Sequence, residues 1–215
     1  MMTILVPIFV LLAVVPLIRH RDRAGRALAL RRAGLGWMAV FALFFGAFII
    51  GYTVDDPGGW TALLLVASWV APLVALSWVA WSRPQWALPV LGVLLAAAVG
   101  YSAWAAFGWE AFRTFQNLLQ GPLDAIALFV VSFALAVLGW RRPLPAAVLL
   151  LVATVLPMVF NILGSGAPLS AAFGGSLSAA TAPGTVTGML YLLSVIFERQ
   201  SVAHPAPPNA APTPA

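Results

Sequence analysis

The chain has 215 residues, of which 62% are hydrophobic and only 8% are charged, with a formal net charge of +5. A soluble domain is about one-quarter charged residues, so this composition excludes an ordinary water-soluble protein. The absence of cysteine excludes disulfides, thiolate metal sites and cysteine nucleophiles. Apolar runs long enough to cross a bilayer separate the charges, and they predict an all-α fold, a polytopic transmembrane helix bundle.

The first apolar run, Met1–Ile18, ends at a basic loop, Arg19–Arg32, which contains six arginines. A secretory signal has its positive charge before the apolar run and a small-residue cleavage site after it. Because the order is reversed here, we interpret this run as an uncleaved first span with the N-terminus outside.

Further spans follow in chain order, making seven in all. Their predicted bounds are about Gly34–Val54, Trp60–Trp81, Trp86–Phe107, Leu123–Trp140, Pro145–Leu163 and Gly184–Phe197. Six spans are the alternative, if the first or the last run lies in the membrane interface. Residues 1–199 are therefore predicted to form a single transmembrane helical domain. The Pro/Ala-rich residues 200–215 are expected to be a disordered cytoplasmic tail.

The arginines predict the orientation of the bundle. With alternating loops, ten of the eleven arginines fall on one side and only Arg113 falls on the other. Such an excess marks the cytoplasmic side, so the C-terminus is predicted to be cytoplasmic. Indole rings prefer the headgroup level, and five tryptophans lie at predicted span ends: Trp60, Trp81, Trp86, Trp109 and Trp140. The use of arginine without lysine indicates a bacterial coding bias. The predicted location is therefore the plasma membrane of a bacterium.

The basic loop has two interpretations. Arginines near a membrane surface attract anionic lipid headgroups by about 1 kcal/mol each. The lipid contacts would then be Arg19, Arg21, Arg23, Arg26, Arg31 and Arg32. The favoured interpretation is that these arginines only set the topology.

The sixth span contains Pro157 and, one turn later, Asn161. Proline removes a backbone donor and clashes with the carbonyl four residues earlier, so a kink is expected there. In transporters, a broken helix with an amide nearby binds substrate. A solute site of this kind would comprise Pro157, Asn161, Tyr101 and Tyr191. Proline also occurs in membrane helices for packing alone, which is the favoured interpretation.

Three further segments have alternative interpretations. The loop Gly108–Pro122 has the spacing of a short amphipathic helix, which lies in the outer interface or extends the fourth span. Asp124 falls in the first turn of the fifth span, where the helix dipole stabilises a carboxylate; proton coupling is the less favoured role. The uncharged residues 164–183 form either a re-entrant hairpin or a surface loop.

Small residues repeat at four-residue spacing in two spans: Gly92, Ala96 and Gly100 in the fourth, and Gly184 and Gly188 in the seventh. Such rows let helix backbones approach closely. We expect them to pack within the bundle, with contacts between subunits as the alternative.

Catalytic chemistry is not indicated, because the only histidines are His20 and His204, and neither lies in a span. No catalytic residue, metal site or cofactor is predicted, and the chain is not expected to be an enzyme. Nucleic-acid binding is not expected either, because the arginines lie at the ends of apolar runs and not along one face.

The sequence favours a non-catalytic accessory or scaffolding subunit of a bacterial membrane system. Its expected partners are the lipid bilayer, anionic headgroups included, and other membrane protein subunits. The alternative is a carrier or substrate-capture subunit for a small neutral or apolar solute. The topology resembles that of small sugar carriers built from two three-helix repeats around a linker helix. Those carriers have prolines at matched positions in both halves, whereas the second and fifth spans here have none.

Overall fold

A computed structural model of the chain describes residues 2–20, 22–55, 59–108, 123–165 and 176–203. Within these ranges the chain forms helices and no strand, which confirms the predicted all-α class. The helices are α1 (Met2–Arg19), α2 (Arg23–Asp55), α3 (Gly59–Ser82), α4 (Pro84–Phe107), α5 (Leu123–Gly139), α6 (Pro143–Ser165) and α7 (Ser176–Ala203).

In the described part of the chain, four helical segments are long and apolar enough to cross a membrane. They are Arg23–Ala47, Gly59–Ser82, Pro84–Phe107 and Pro143–Gly164. The 24 residues of α3 extend for about 36 Å at 1.5 Å per residue, which exceeds the roughly 30 Å of a bilayer's hydrocarbon core. The structure is thus compatible with a membrane protein.

The outside of the bundle is covered by large apolar side chains. Leu43, Phe44 and Val93 are each at least 70% exposed, and Trp60 is 82% exposed. Large contiguous apolar surfaces are rare on soluble monomers and mark membrane or protein contacts. This exposure agrees with the composition of the chain and gives the bundle an apolar outer surface.

The short helix α5 lies at the centre of the bundle. It contacts α2, α3, α4, α6 and α7, and ten of the fourteen residues from 126 to 139 are buried. Among the described side chains of α3, by contrast, only Trp69 and Ala80 are buried. A helix that is apolar on all sides can be enclosed by its neighbours, and the described residues 126–139 of α5 are enclosed in this way.

Apolar packing joins the helices around α5 in three groups. The largest joins α4, α5 and α6 through side chains such as Leu91, Leu135 and Leu150. A second joins α1, α2 and α7, and a third joins α2 to α5 through Met38 and Phe129. Rings of α2 pack onto Phe129 as well, with a centroid separation of 4.8 Å to Phe45.

Two helices are longer than the predicted spans. The α2 helix begins at Arg23, so most of the segment predicted as a basic loop is the first part of a helix. The α7 helix begins at Ser176 and ends at Ala203, which shortens the predicted loop 164–183 and extends helix into the predicted tail. The choice between a re-entrant hairpin and a surface loop depends on residues 166–175, which lie outside the described residues. Residues 204–215 of the predicted tail also lie outside them.

Candidate functional site

Tyr191 of α7 is fully buried between α2 and α5. Its hydroxyl donates a hydrogen bond of 2.6 Å to the backbone carbonyl of Ala136. The ring lies against Gly139, where a Cβ atom would overlap it, and a Cβ at Gly34 would lie 3.0 Å from its Cε1 atom. The two glycines therefore make room for the ring, and Tyr191 fills the space between three helices.

Two further hydroxyls complete the polar contacts around Tyr191. Thr187, one turn earlier on α7, donates to the carbonyl of Gly34 at 3.2 Å. Ser194 donates to the carbonyl of Tyr191 itself at 2.7 Å. Both hydroxyls are buried and bonded to backbone, as buried polar groups in folded proteins usually are. The bonds of Tyr191 and Thr187 connect α7 to α5 and α2, whereas that of Ser194 stays within α7, and together they indicate a packing role for Tyr191.

The other members of the predicted solute site lie elsewhere on the bundle. Pro157 is buried within α6, which continues as one helix to Ser165. Asn161 and Tyr101 are half-buried. Near them, the rings of Phe107 and Phe160 approach to 6.0 Å between centroids, which places the ends of α4 and α6 side by side.

Tyr191 does not join this group. Gly188 packs against Leu151, and Gly184 packs against Thr154, so α6 and α7 run in opposite directions. Tyr191 lies three residues after Gly188 on α7, and Asn161 lies ten residues after Leu151 on α6. Because the two helices are antiparallel, these residues lie in opposite directions from the Gly188–Leu151 contact. At 1.5 Å per residue, the two side chains are separated by roughly 20 Å along the bundle. Pro157, Asn161 and Tyr101 therefore lie in the half of the bundle that contains the Phe107–Phe160 contact, and Tyr191 lies toward the opposite end.

The described arginines gather at one end of the bundle, here called the arginine end. They are Arg19, Arg23, Arg26, Arg31, Arg32, Arg83, Arg141, Arg142 and Arg199. Arg23 donates to the carbonyl of Gln200 at 3.1 Å, which joins the start of α2 to the end of α7. The guanidinium of Arg141 lies 5.3 Å from the centroid of the Trp81 ring, which joins the ends of α5 and α3. Arg21 and Arg113 lie outside the described residues.

One arginine of the predicted lipid-binding set has an acidic partner. Arg31 forms an ion pair with Glu198 of α7, and its side chain is only 16% exposed. Arg26 donates to the carbonyl of His20 at 2.8 Å and lies over the Phe197 ring. Arg19, Arg23 and Arg32 are exposed. The Arg31–Glu198 pair could not be predicted from the sequence, because 167 residues separate its members.

An open groove of about 560 Å³ lies between α6 and α7 at the arginine end. We call it the α6–α7 groove; it is lined by Arg142, Pro143, Leu144, Pro145, Val195, Glu198 and Arg199. Arg142 and Arg199 are exposed, whereas Val195 is buried. The groove thus combines two arginines with an apolar floor.

The two rows of small residues have opposite environments. A Cβ atom at Gly184 would lie 2.9 Å from Thr154, and one at Gly188 would lie 3.2 Å from Leu151, so this row packs inside the bundle as predicted. Nothing lies within 4 Å of a Cβ at Gly92 or Gly100, and Ala96 is exposed. The expectation that the α4 row packs within the bundle is therefore wrong, because the opposite face of α4 is the buried one.

Other predicted features can be located only in part. Asp124 is the second residue of α5, within its first turn as expected. Trp109 and the amphipathic segment after Gly108 lie outside the described residues. Of the other tryptophans expected at span ends, Trp60, Trp81 and Trp86 lie within three residues of a helix end and are exposed. Trp140 directly follows α5.

Across the described residues, no three His, Cys, Asp or Glu side chains come together as they would to hold a metal ion. The main features of the described structure are a packed apolar interior, a positively charged end and an outward row of small residues on α4. No protein-family model matches the chain, and no match was found among curated proteins or solved structures.

Proposed function

We propose that this chain is a non-catalytic accessory or scaffolding subunit of a bacterial membrane system. It is embedded in the plasma membrane as a multi-pass protein of seven spans, with its N-terminus outside and its C-terminus in the cytoplasm. The observation that carries the proposal is the outward-facing row of small residues on α4, Gly92, Ala96 and Gly100.

The row supports a contact with another membrane protein for a physical reason. Lipid tails are as apolar as leucine, so helices in a bilayer associate through close van der Waals packing, and small residues allow their backbones to approach. Within the chain, α4 already packs through its other face, which includes Leu91 and Leu95. The small-residue row is therefore left for a helix of a different subunit.

The proposed orientation is supported by the charges at the arginine end. Nine described arginines gather there against two acidic residues, Asp22 and Glu198. Positive charge next to spans is retained on the cytoplasmic side. Exposed tryptophans at the ends of α3 and α4 have the positions of indoles at the headgroup level.

The proposal is tested by gentle extraction of the tagged protein from native membranes, followed by mass spectrometry of copurifying proteins. We expect a stoichiometric membrane partner. Gly92→Leu combined with Gly100→Leu should remove that partner, because the added side chains hold the helices apart. The matched control is Gly36→Leu, which changes another outward-facing glycine with nothing within 4 Å of its Cβ.

Retention of the partner by the doubly substituted protein, or its equal loss in the control, would show that the α4 row is not the contact. A protein that purifies alone and moves a defined solute in liposomes would instead be the carrier of the alternative proposal. That alternative is favoured by one observation, the placement of Tyr101, Pro157 and Asn161 in the same half of the bundle. In a carrier, Asn161→Leu should abolish uptake without lowering the amount of folded protein.

A further inference from the structure

We propose that the α6–α7 groove binds the headgroup of an anionic glycerophospholipid. This site is distinct from the basic segment at the start of α2, and it goes beyond the proposed function, because either an accessory subunit or a carrier could hold such a lipid. The groove opens at the arginine end between the start of α6 and the end of α7. Basic pockets between membrane helices on the cytoplasmic side of a bilayer bind lipid headgroups. The arginine end is the cytoplasmic end in the proposed orientation.

The charge of the groove is positive once its ion pair is taken into account. Three charged residues line it: Arg142, Glu198 and Arg199. The carboxylate of Glu198 is paired with Arg31, which lies outside the lining. Arg142 and Arg199 are both exposed residues, and guanidinium groups bind phosphate through charge-assisted hydrogen bonds.

The apolar part of the groove distinguishes a lipid from a free anion. Leu144, Val195 and two prolines line it beside the arginines. Exposed apolar side chains continue along the same two helices away from the arginine end, at Val148 of α6, which is 49% exposed, and Met189 of α7, which is 43% exposed. A phospholipid matches both parts, because its phosphate faces the guanidinium groups while its acyl chains follow the apolar surface.

The backbone at the start of α6 has few N–H groups that could bind an anion, so the arginines of the groove must bind it. Helix N-termini bind anions through free N–H groups, but Pro143 and Pro145 have no N–H group. Most of the anion's hydrogen bonds must therefore come from the side chains of Arg142 and Arg199. Substitution of those two side chains should then remove binding.

The experiment is native mass spectrometry of the full chain in a neutral detergent at 0.15 M salt, titrated with phosphatidylglycerol or with phosphatidylcholine. We expect phosphatidylglycerol adducts in preference to phosphatidylcholine adducts. Each of Arg142→Gln and Arg199→Gln should lower the apparent affinity for phosphatidylglycerol about fivefold, following the typical contribution of one arginine at a membrane surface. The double variant should lose most of the adducts.

The control removes two other charges from the same end: Arg83→Gln with Arg141→Gln. Arg83 does not line the groove, and Arg141 is next to Arg142 in sequence but lies over the Trp81 ring. Because neither residue lines the groove, this control should keep its adducts. Equal losses in both double variants would show diffuse attraction and overturn the site, as would unchanged binding in both. Near-ultraviolet circular dichroism of each variant establishes that it is folded.

A second arm separates a lipid from a free phosphate. Glycerol phosphate, which has the charge but no acyl chain, is added in excess to the complex with phosphatidylglycerol. We expect the lipid adducts to remain, because the apolar part of the groove holds the chains. Displacement of the lipid by glycerol phosphate would assign the site to soluble phosphates and overturn the lipid proposal.

Discussion

The Tyr191 ring lies so close to Gly139 that a Cβ atom at residue 139 would overlap it. The Tyr191 hydroxyl donates to the carbonyl of Ala136, on the same helix as Gly139. Gly34 of α2 approaches the ring from another side. One residue of α7 therefore determines how closely α2 and α5 approach it, and the stability of the bundle should depend on these contacts.

We expect Gly139→Ala to lower the free energy of unfolding by about 1–3 kcal/mol, the usual range for overpacking a filled core. Thermal unfolding in detergent, followed by circular dichroism, measures the change. Gly36→Ala is the matched control, because a Cβ there meets nothing within 4 Å. The control should be neutral or more stable by up to about 1 kcal/mol, since alanine favours helix more than glycine does. Equal unfolding temperatures for the two variants would contradict the close contact with Tyr191.

Tyr191→Phe should destabilise the protein by about 0.6 kcal/mol, the average for a hydrogen bond between membrane helices. The ring remains, so only the hydroxyl's bond to Ala136 is lost. Tyr191→Leu should be worse than Tyr191→Phe, because it also leaves part of the space between the helices empty. Chemical unfolding of the three proteins ranks them, and a phenylalanine variant less stable than the leucine variant would be inconsistent with the observed packing.

The Arg31–Glu198 ion pair should show a small, salt-dependent coupling. The Glu198 side chain is 53% exposed, and exposed ion pairs contribute about 0.2–1 kcal/mol. A double-mutant cycle with Arg31→Gln and Glu198→Gln measures the coupling, which should fall as salt is raised because screening is stronger. In the same cycle with Arg32→Gln in place of Arg31→Gln, the two effects should be additive. Arg32 is the next residue and is exposed, but the ion pair of Glu198 is with Arg31. Equal coupling in both cycles would argue against a specific pair.

The two glycine rows should respond differently to the same substitution. In Gly188→Leu, the new side chain meets Leu151 and the carbonyl of Ala147 within 3.3 Å of its Cβ, so the yield of folded protein should fall. In Gly92→Leu, no atom lies within 4 Å of the Cβ, so the isolated protein should remain as stable as the parent. Size-exclusion profiles and unfolding temperatures test the contrast. A Gly92→Leu variant that fails to fold would place that row inside the bundle after all.

The proposed orientation predicts the reactivity of single cysteines introduced into this cysteine-free chain. Ser82 is exposed at the arginine end of α3, and Ser165 is the last residue of α6 at the other end. In intact cells, Ser165→Cys should react with an impermeant thiol reagent and Ser82→Cys should not. Both should react after the membrane is permeabilised. The reverse pattern in intact cells would invert the orientation.

The helical class and the approximate positions of the helices follow from the pattern of apolar runs alone. Apolar runs leave few other ways to satisfy backbone hydrogen bonds in lipid, and exposed tryptophans such as Trp60 and Trp86 lie near helix ends as predicted. The predicted ends of the helices were less accurate than their positions. The α2 helix extends through most of the predicted basic loop, because arginine and alanine favour helix.

Which face of each helix is buried depends on how the helices pack together. In a soluble protein, polar residues mark the outer face, but in this chain the core and the outer surface are equally apolar, so the pattern of Gly92, Ala96 and Gly100 could not reveal its exposure. For the same reason the sequence did not place α5 at the centre. It also could not show that Tyr191 packs against Gly139 and lies far from Asn161, or that Arg31 meets Glu198, because those pairings depend on how distant helices are arranged around α5.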